Sequence, residues 1–443
     1  MKCREPKLRF AMLILLCAAV ICIASADAAP LTREAVLVET LHPFKGESVH
    51  GVDTSTLTGK VMCGYQGWFN VEGDGAERGW VHWTRGRGAL GPTNAKIDLL
   101  PDVSELGADE RFATGLTNAA GDRIEVYSPF KEATVLRHFK WMQDYGIDGV
   151  FVQRFVADLR GPSGLRHNNT VLDHCRTGAN EFGRAYAVMY DLSGLGAGRI
   201  QEVMDDWREL RTRMKVTEDP AYLHHRGRPL VTVWGVGFSD NRRYTLAECK
   251  QLVEFLKKDG CSVMLGVPTG FRTLNRDAVN NPELQEVIKL ADVVSPWTVG
   301  RYRNPREATR HGEQNWKPDV AWCAERKLDF LPVVFPGFSW FNMNGRQFNA
   351  IPRLKGEFLW SQLVAAKRAG ATMIYVAMFD EVDEGTAIFK CINEVPTTEP
   401  AKFVTYEGLP SDYYLREVGS GAKMLRGESP VTDAMPSIGC VKK

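Results

Sequence analysis

The chain has almost no net charge. Its 443 residues include 55 Lys and Arg against 54 Asp and Glu, which gives a formal charge of +1 at pH 7. Proteins that bind the phosphate backbone of nucleic acid usually have a clear basic excess, and a disordered acidic tail would be visible as a run of like charges. We therefore expect no nucleic-acid partner. The 44% hydrophobic content is typical of a globular protein.

The sequence also lacks Cys-x-x-Cys pairs. Three of its ten cysteines precede residue 29, and the seven that follow are an odd number without metal-site spacing. Cys249, on a predicted helix, and Cys261, on the next predicted strand, could approach each other. The alternative is that these cysteines are small buried hydrophobic residues.

The N-terminus has the features of a secretory signal peptide. Basic residues precede an apolar segment at residues 10–24, and Ala24-Ser-Ala26 and Ala26-Asp-Ala28 offer small-residue cleavage sites. The apolar segment is too short to favour a membrane span, although a membrane anchor is the alternative. We predict a signal peptide at residues 1–28, a secreted or periplasmic protein, and no membrane attachment after cleavage.

Short apolar strands alternate with helices along the rest of the chain. This pattern predicts βαβ units and, because there are eight strands, a (β/α)8 TIM barrel of class α/β. We predict a leader at residues 29–58, one barrel domain at 59–425 with a long insertion at 70–129, and a tail at 426–443. The predicted strands are residues 60–69, 149–155, 185–191, 229–237, 262–266, 293–297, 331–335 and 373–379, and the predicted helices are 131–145, 200–215, 246–258, 355–369 and 413–425.

Several catalytic signatures are missing from this pattern. No Gly-x-Gly-x-x-Gly follows the first strand, which argues against dinucleotide binding, and no Gly-x-Ser-x-Gly elbow follows any strand, which argues against a serine esterase. The nine histidines all miss the strand ends, although His82 lies in the insertion. We therefore expect no metal site and no cofactor.

Barrel enzymes place their chemistry at the C-terminal ends of the strands. Aromatic, charged and amide side chains at these ends are the inventory of a sugar-binding cleft, and we expect a carbohydrate substrate. For each tryptophan, core packing is the alternative, and a structural ion pair is the alternative for the arginine at 154. The predicted substrate-binding residues are Tyr65, Gln66, Trp68, Arg154, Tyr190, Asp191, Trp234, Trp297, Arg301, Trp340 and Asp380.

The last predicted strand leads directly into four acidic residues. Asp380, Glu381, Asp383 and Glu384 precede Gly385. Side chains alternate faces along a strand, so the two glutamates can face one cavity only if the strand ends and the chain turns. A turn of this kind can bring two carboxylates within about 5–6 Å, as retaining glycosidases require. We predict Glu381 and Glu384 as the catalytic pair; a solvated acidic loop is the alternative.

The segment Phe379-Asp-Glu381-Val-Asp-Glu384-Gly-Thr-Ala-Ile388 resembles the Phe-Asn-Glu-Trp-His-Glu-Gly-Thr-x-Ile signature of glycoside hydrolase family 99. The chain is similar to family 71/99-like proteins from about residue 59 to 425. It departs from the signature at Asp380, Val382 and Asp383, so the family contacts at these positions do not carry over.

The resemblance implies a metal-independent, retaining, endo-α-mannosidase-like enzyme. In this family one glutamate deprotonates the sugar 2-hydroxyl and the other acts as acid and base. Matching positions give Glu381 the first role and Glu384 the second; spacing alone does not assign them. A carbohydrate-binding or glycan-assembly protein on the same fold is the alternative function. Asp383, between the two glutamates, is expected to tolerate Asn.

Overall fold

The computed structural model describes Met1 and residues 30–436. Residues 2–29, which are the predicted signal peptide apart from Met1 and the first residue of the predicted leader, lie outside the described residues, as do residues 437–443 of the predicted tail. Contacts divide the chain into Met1–Leu31 and Thr32–Lys443. The elements described below all belong to the second unit.

The central sheet is a ring of parallel strands. Its hydrogen-bonded order is β10-β9-β8-β7-β5-β4-β1-β12-β11, and every pairing along this order is parallel. A short antiparallel strand, β6, pairs with β7, and β2 and β3 form a separate hairpin. The strands are β1 Val61–Tyr65, β2 Phe112–Thr117, β3 Arg123–Val126, β4 Gly149–Phe155, β5 Ala185–Asp191, β6 His224–His225, β7 Arg228–Trp234, β8 Ser262–Pro268, β9 Val293–Trp297, β10 Asp329–Phe330, β11 Val333–Val334 and β12 Ile374–Val376.

The ring closes through the chain from β10 to β11. The amide of Leu331 donates to Val294 on one side, and the carbonyl of Pro332 accepts from Tyr375 on the other. Pro332 has no N–H to donate, so this position in the barrel is occupied by two short strands, β10 and β11, instead of one continuous strand. Together β10 and β11 take the place of the seventh strand in an eight-stranded barrel, which confirms the predicted (β/α)8 fold.

Helices cover the outside of the ring. The helix α2 ends where Gly146 adopts a left-handed conformation, and α5 begins with a capping box between Thr245 and Glu248. The helices are α1 Arg33–Thr40, α2 Glu132–Tyr145, α3 Pro162–Glu181, α4 Gln201–Glu209, α5 Leu246–Lys258, α6 Glu283–Ile288, α7 Pro305–His311, α8 Lys317–Glu325, α9 Phe341–Asn344, α10 Glu357–Arg368 and α11 Tyr413–Arg426.

The predicted leader and insertion both pack against the barrel. The leader contains α1, which contacts α3, and its Val36 and Leu37 are buried. The insertion contains the β2–β3 hairpin and irregular chain around buried residues such as Trp83 and Leu99. Six cysteines between residues 63 and 391, including Cys249 and Cys261, are buried and free, so the approach of that pair forms no disulfide.

Candidate active site

The acidic segment leaves the barrel at the end of β12 and folds back on itself. The amides of Ile388 and Phe389 donate to the carbonyls of Met378 and Phe379, at 3.1 and 3.0 Å. Gly385 lies at the bend with a φ of +66°, where a Cβ would approach the Ser339 backbone to 3.2 Å. The strand therefore ends before the first glutamate, and the following turn lets Glu381 and Glu384 line the same cavity.

Glu381 is held from both sides of its carboxyl group. Gln66 Nε2 donates to Oε1 at 2.7 Å, and Thr386 Oγ1 donates to Oε2 at 2.9 Å. The side chain is only 3% exposed. Burial raises the pKa of Glu381 well above its usual value, with further upward contributions from Glu384 and Asp383, while the two hydrogen bonds oppose the rise.

Glu384 is half-buried and faces the same cavity. Burial raises its pKa to about 8, and the nearby carboxylates Asp383 and Asp191 push it in the same direction. Lys96 and Trp340 oppose the rise; the Trp340 indole N–H has no hydrogen-bond partner of good geometry among the described residues, so its effect is a weak one. Glu384 is consequently protonated at neutral pH.

The insertion brings an imidazole to this cluster. His82 Nδ1 lies 3.1 Å from Asp383 Oδ2 and 3.1 Å from Lys96 Nζ. The imidazole stacks on Trp68 with ring centroids 3.8 Å apart and an angle of 8° between the planes. Burial lowers the pKa of His82, although Asp383 opposes this shift. Asp383 is completely buried, so it is a part of the site rather than a solvated loop residue.

Two adjoining spaces meet at Glu384. The inner cavity, of about 190 Å³, is lined by Gln66, Trp68, Gln153, Phe155, Asp191, Ser193, Trp234, Trp297, Met378, Glu381 and Glu384. The outer cleft, of about 530 Å³, shares Trp234, Trp297 and Glu384 with it and adds Phe238, Asp240, Arg242, Val299, Gly300, Arg301, Arg303, Phe338, Trp340, Arg346, Gln347, Ala350 and Ile351. Volumes and apolar walls of this kind are typical of small-molecule and oligosaccharide sites.

Several polar atoms around the inner cavity have no partner within the described part of the chain. They are the indole N–H groups of Trp68 and Trp234, the amide oxygens of Gln66 and Gln153, and Oδ1 of Asp383. Buried polar groups are normally hydrogen-bonded. A concentration of unpaired donors and acceptors beside aromatic faces suits a polyhydroxylated ligand, which offers hydroxyl groups to both.

Some predicted substrate-binding residues lie elsewhere. Arg154 and Tyr190 are neighbours across β4 and β5, and both bond to Asp206 on α4, outside the barrel. Arg154 is completely buried. Tyr65 bonds instead to His138 on α2 at 2.9 Å. The expectation that these three reach the cleft does not hold, because neighbouring residues on a strand face opposite sides.

Asp380 has a structural position as well. Its two carboxyl oxygens accept hydrogen bonds from the backbone amides of Gln66 and Gly67, at 2.7 and 2.8 Å, and the side chain is fully buried. Burial raises the pKa of Asp380 to about 7. These bonds fix the chain after β1 and thereby orient Gln66 toward Glu381. Asp380 is therefore a positioning residue that does not face the inner cavity.

The remaining predicted residues line the two spaces. Gln66, Trp68, Asp191, Trp234 and Trp297 surround the inner cavity. Arg301 and Trp340 line the outer cleft, where Arg301 Nε donates to Asp277 at 2.8 Å.

The sequence interpretation missed Gln153, Phe155, Ser193 and Met378, which line the inner cavity, and the contact of His82 with Asp383 beside it. Strand alternation was a usable signal for two of them, since Gln153 and Phe155 lie on the face of β4 opposite Arg154.

Neither a metal cluster nor a membrane helix is found in the described part of the chain. Within residues 30–436, no group of three or more His, Cys, Asp and Glu side chains is arranged to hold a metal ion. In the same range no helix has the length and apolar character needed to cross a bilayer.

Comparisons with known proteins agree with the resemblance seen in the sequence. No family model matches the chain. A mouse glycoprotein endo-alpha-1,2-mannosidase-like protein is 32% identical over 109 residues, which are 23% of this chain and 22% of the mouse protein. A Danio rerio protein of the same description is 30% identical over 108 residues, 23% of each chain. The match thus spans under a quarter of either relative.

Solved structures are similar over a longer stretch. The GH99 endo-alpha-mannosidase of Bacteroides thetaiotaomicron has a TM-score of 0.61 and 16% identity, covering 84% of this chain and 99% of that one. A structure described as a glycoside hydrolase-like protein has a TM-score of 0.51 at 12% identity, covering 87% and 98%. The chain shares its fold, a TIM barrel, with these structures.

Proposed function

We propose that this protein is a glycoside hydrolase in which Glu381 and Glu384 are the catalytic pair. The observation that supports the proposal most directly is that both carboxyl groups line one aromatic-walled cavity at the C-terminal end of the barrel. The family 99 resemblance of the segment that holds them points to the same chemistry. A solvated acidic loop would instead leave these carboxyls exposed and without fixed partners.

The surroundings of the two glutamates favour different protonation states. Glu384, with a pKa raised to about 8, holds a proton at neutral pH and can donate it to the leaving oxygen. The pKa of Glu381 is raised as well, by burial and by Glu384 and Asp383, but its hydrogen bonds from Gln66 and Thr386 oppose that rise and favour the ionised form that a base needs. One proton shared between two neighbouring carboxyls is the arrangement that acid/base pairs commonly use.

The proposed reaction is a two-step retaining hydrolysis. Glu381 takes the proton of the sugar 2-hydroxyl while that oxygen attacks the anomeric carbon, and Glu384 protonates the departing glycosidic oxygen. Water then opens the resulting epoxide-like intermediate, giving its proton to Glu384 as Glu381 returns its proton to the 2-oxygen. Both carboxyls end in their starting states, and the anomeric configuration is retained after two inversions.

The substrate class follows from the same resemblance. We infer an α-linked mannan-type poly- or oligosaccharide with a free 2-hydroxyl at the cleaved residue, bound against Trp68, Trp234 and Trp297.

We also infer export, from the features of residues 1–28. Sequencing of the mature N-terminus after expression with residues 1–28 in place tests this inference. Export predicts a new N-terminus near residue 27 or 29, and an intact Met1 contradicts it.

The test is release of reducing ends from α-mannans, with the anomer of the first product followed by NMR. Glu381→Gln and Glu384→Gln should each lower kcat by at least about 100-fold, because a positioned proton transfer is lost, with the fold intact by circular dichroism. Glu313→Gln, an exposed carboxylate outside the cleft, is the matched control. Tight glycan binding without any product would favour the binding-protein alternative, and full activity in both glutamine variants would remove the catalytic assignment.

A further inference from the structure

The outer cleft has an unusual charge for a site that adjoins a carboxylate cluster. Four arginines line it: Arg242, Arg301, Arg303 and Arg346. The acidic residues among its lining are Asp240 and Glu384. Because arginines outnumber carboxyl groups in this lining, the cleft has a surplus of positive charge.

Two of these arginines are already paired. Arg242 forms two hydrogen bonds with the Asp240 carboxylate, at 2.8 and 2.9 Å, and lies over the Trp234 ring at 5.0 Å. Arg301 pairs with Asp277 at 2.8 Å. The charges of Arg242 and Arg301 are largely neutralised by these carboxylates, and both side chains form part of the wall of the outer cleft.

Arg303 and Arg346 differ from this pair. Both are exposed, and among the residues the structure describes neither side chain has a carboxylate within 4.0 Å. The Arg346 guanidinium lies 5.0 Å from the Trp340 ring centre, and Trp340 in turn adjoins Glu384. A guanidinium held over an aromatic ring keeps its planar set of N–H donors available, which suits bidentate binding of an oxyanion.

The inner cavity has the opposite character. Its lining includes the carboxyl groups of Glu381, Glu384 and Asp191 and, among the described residues, no lysine or arginine. An anionic group would be repelled there, whereas it would be attracted in the outer cleft. The two spaces therefore sort a ligand by charge: a neutral sugar at the carboxylates and a negatively charged sugar beside the arginines.

We propose that the substrate is an anionic glycan, with sulfate, phosphate or carboxylate groups on the sugar bound by Arg303 and Arg346 and a neutral sugar at the cleaved bond. This inference rests on the proposed hydrolase function, because it names the substrate class of the same site. The three anions share the chemistry that a guanidinium recognises, a pair of oxygens bearing negative charge.

Glycans that differ only in their charged groups provide the test. One α-mannan is prepared unmodified, partly sulfated, partly phosphorylated and partly oxidised to uronate, and each form is measured both for binding by affinity electrophoresis and for release of reducing ends. At least one charged form should bind at least about tenfold more tightly than the unmodified mannan, and added salt should weaken that preference. The form that gains most identifies the anion.

The variants assign the preference to the two arginines. Arg303→Gln combined with Arg346→Gln should lower both the affinity ratio and the kcat/KM ratio of the charged form over the unmodified mannan to about one. Arg310→Gln, an exposed arginine on α7 outside the cleft, is the matched control and should change neither quantity.

Binding and turnover separate this inference from the function on which it rests. Arginine-dependent binding of a charged mannan without product would keep the inference and overturn the hydrolase. Turnover of all forms with equal kcat/KM, unaffected by the double variant, would keep the hydrolase and overturn the inference. No preferential binding of any charged form would overturn it as well.

Discussion

The pKa of Glu384 gives the sharpest prediction, the alkaline limb of the pH–rate profile. Glu384 must hold a proton to act as the acid, and its pKa is raised to about 8 by burial and by Asp383 and Asp191. We expect kcat to fall about tenfold per pH unit above that pH, and a separate acidic limb to report the protonation of Glu381, which must be ionised to act as the base. A carboxyl group with the ordinary value would lose its proton near pH 4 and give no activity at pH 7.

Asp383→Asn tests the cause of this shift. The Asp383 carboxylate lies between the two glutamates in sequence and raises the pKa of both. Replacing it with a neutral amide of the same size should move the alkaline limb to lower pH. This outcome differs from the expectation drawn from the sequence, where Asp383 was a tolerant position, because the structure shows the carboxylate buried against His82.

The same shift predicts an effect on stability. The pKa of Glu384 is higher in the folded than in the unfolded chain, so the folded state binds more protons, and this contribution is present at low pH and lost as the pH rises through about 8. Each pKa unit corresponds to about 1.4 kcal/mol. Because the side chain is only half-buried and solvent screens it, we expect the ionisation of Glu384 to lower the free energy of unfolding by about 2 kcal/mol at alkaline pH. Glu384→Gln should therefore raise Tm relative to wild type at pH 9 by a few degrees, with no comparable gain at pH 5.

Two measurements decide this prediction: kcat on α-mannan between about pH 5 and pH 10, and thermal melting of wild type, Glu384→Gln and Asp383→Asn over the same range. Glu313→Gln controls for the loss of any carboxylate. An alkaline limb below pH 6, or a limb that Asp383→Asn does not move, would refute the electrostatic reasoning. A Glu384→Gln variant equally destabilised at pH 5 and pH 9 would refute the linkage argument.

Two further predictions concern the effect of metal chelation and the role of Arg154. Turnover should survive incubation with EDTA, because a carboxylate pair can perform both proton transfers unaided; loss of activity that zinc or calcium restores would contradict this. Arg154→Met should lower the free energy of unfolding by about 3–5 kcal/mol, because it leaves Asp206 buried and unpaired, yet KM should be unchanged. A raised KM with unchanged stability would instead return Arg154 to the substrate site.

The strands could be predicted well where they are continuous apolar runs. The bounds of β4, β5 and β9 agree with the prediction because each run is buried throughout its length or nearly so. The seventh strand was predicted as one element at residues 331–335, whereas the structure has two short strands on either side of Pro332: β10, which precedes the predicted range, and β11, which lies within it. The first and last strands end earlier than predicted because the chain bends into the site after Tyr65 and Val376.

Helix α3 shows why other elements escaped prediction. Its 20 residues contain few apolar positions, and its buried face includes polar side chains such as His167, Arg176 and Asn180. Arg176 donates to the carbonyls of His42 and Met214, and Asn180 donates to Asp219. Hydrogen bonds of this kind are satisfied by distant parts of the chain, and hydrophobic periodicity does not reveal them.

The candidate site divides along the same line. Glu381 and Glu384 could be predicted because a buried strand leads directly into them, and the tryptophans because they follow other strands. Arg154 and Tyr190 were predicted from proximity to a strand end alone, although the two faces of β4 and β5 lead to different sides of the barrel wall. His82 and Lys96 come from an insertion without any sequence period, so only tertiary packing shows that they reach the acidic cluster.

The acidic loop lacks the two aromatic residues of the family 99 signature that it resembles. The signature has Trp and His where this chain has Val382 and Asp383, which removes an indole and an imidazole from the acidic loop. An indole and an imidazole from other segments lie beside the loop. Trp68 follows β1, and His82 stacks on Trp68 and contacts the Asp383 carboxylate. Val382 meanwhile is buried in the core, and its carbonyl accepts the amides of Asp98 and Leu99 from the insertion. The acidic loop and the insertion therefore pack against each other, and an indole and an imidazole lie beside the loop although the loop itself contains neither.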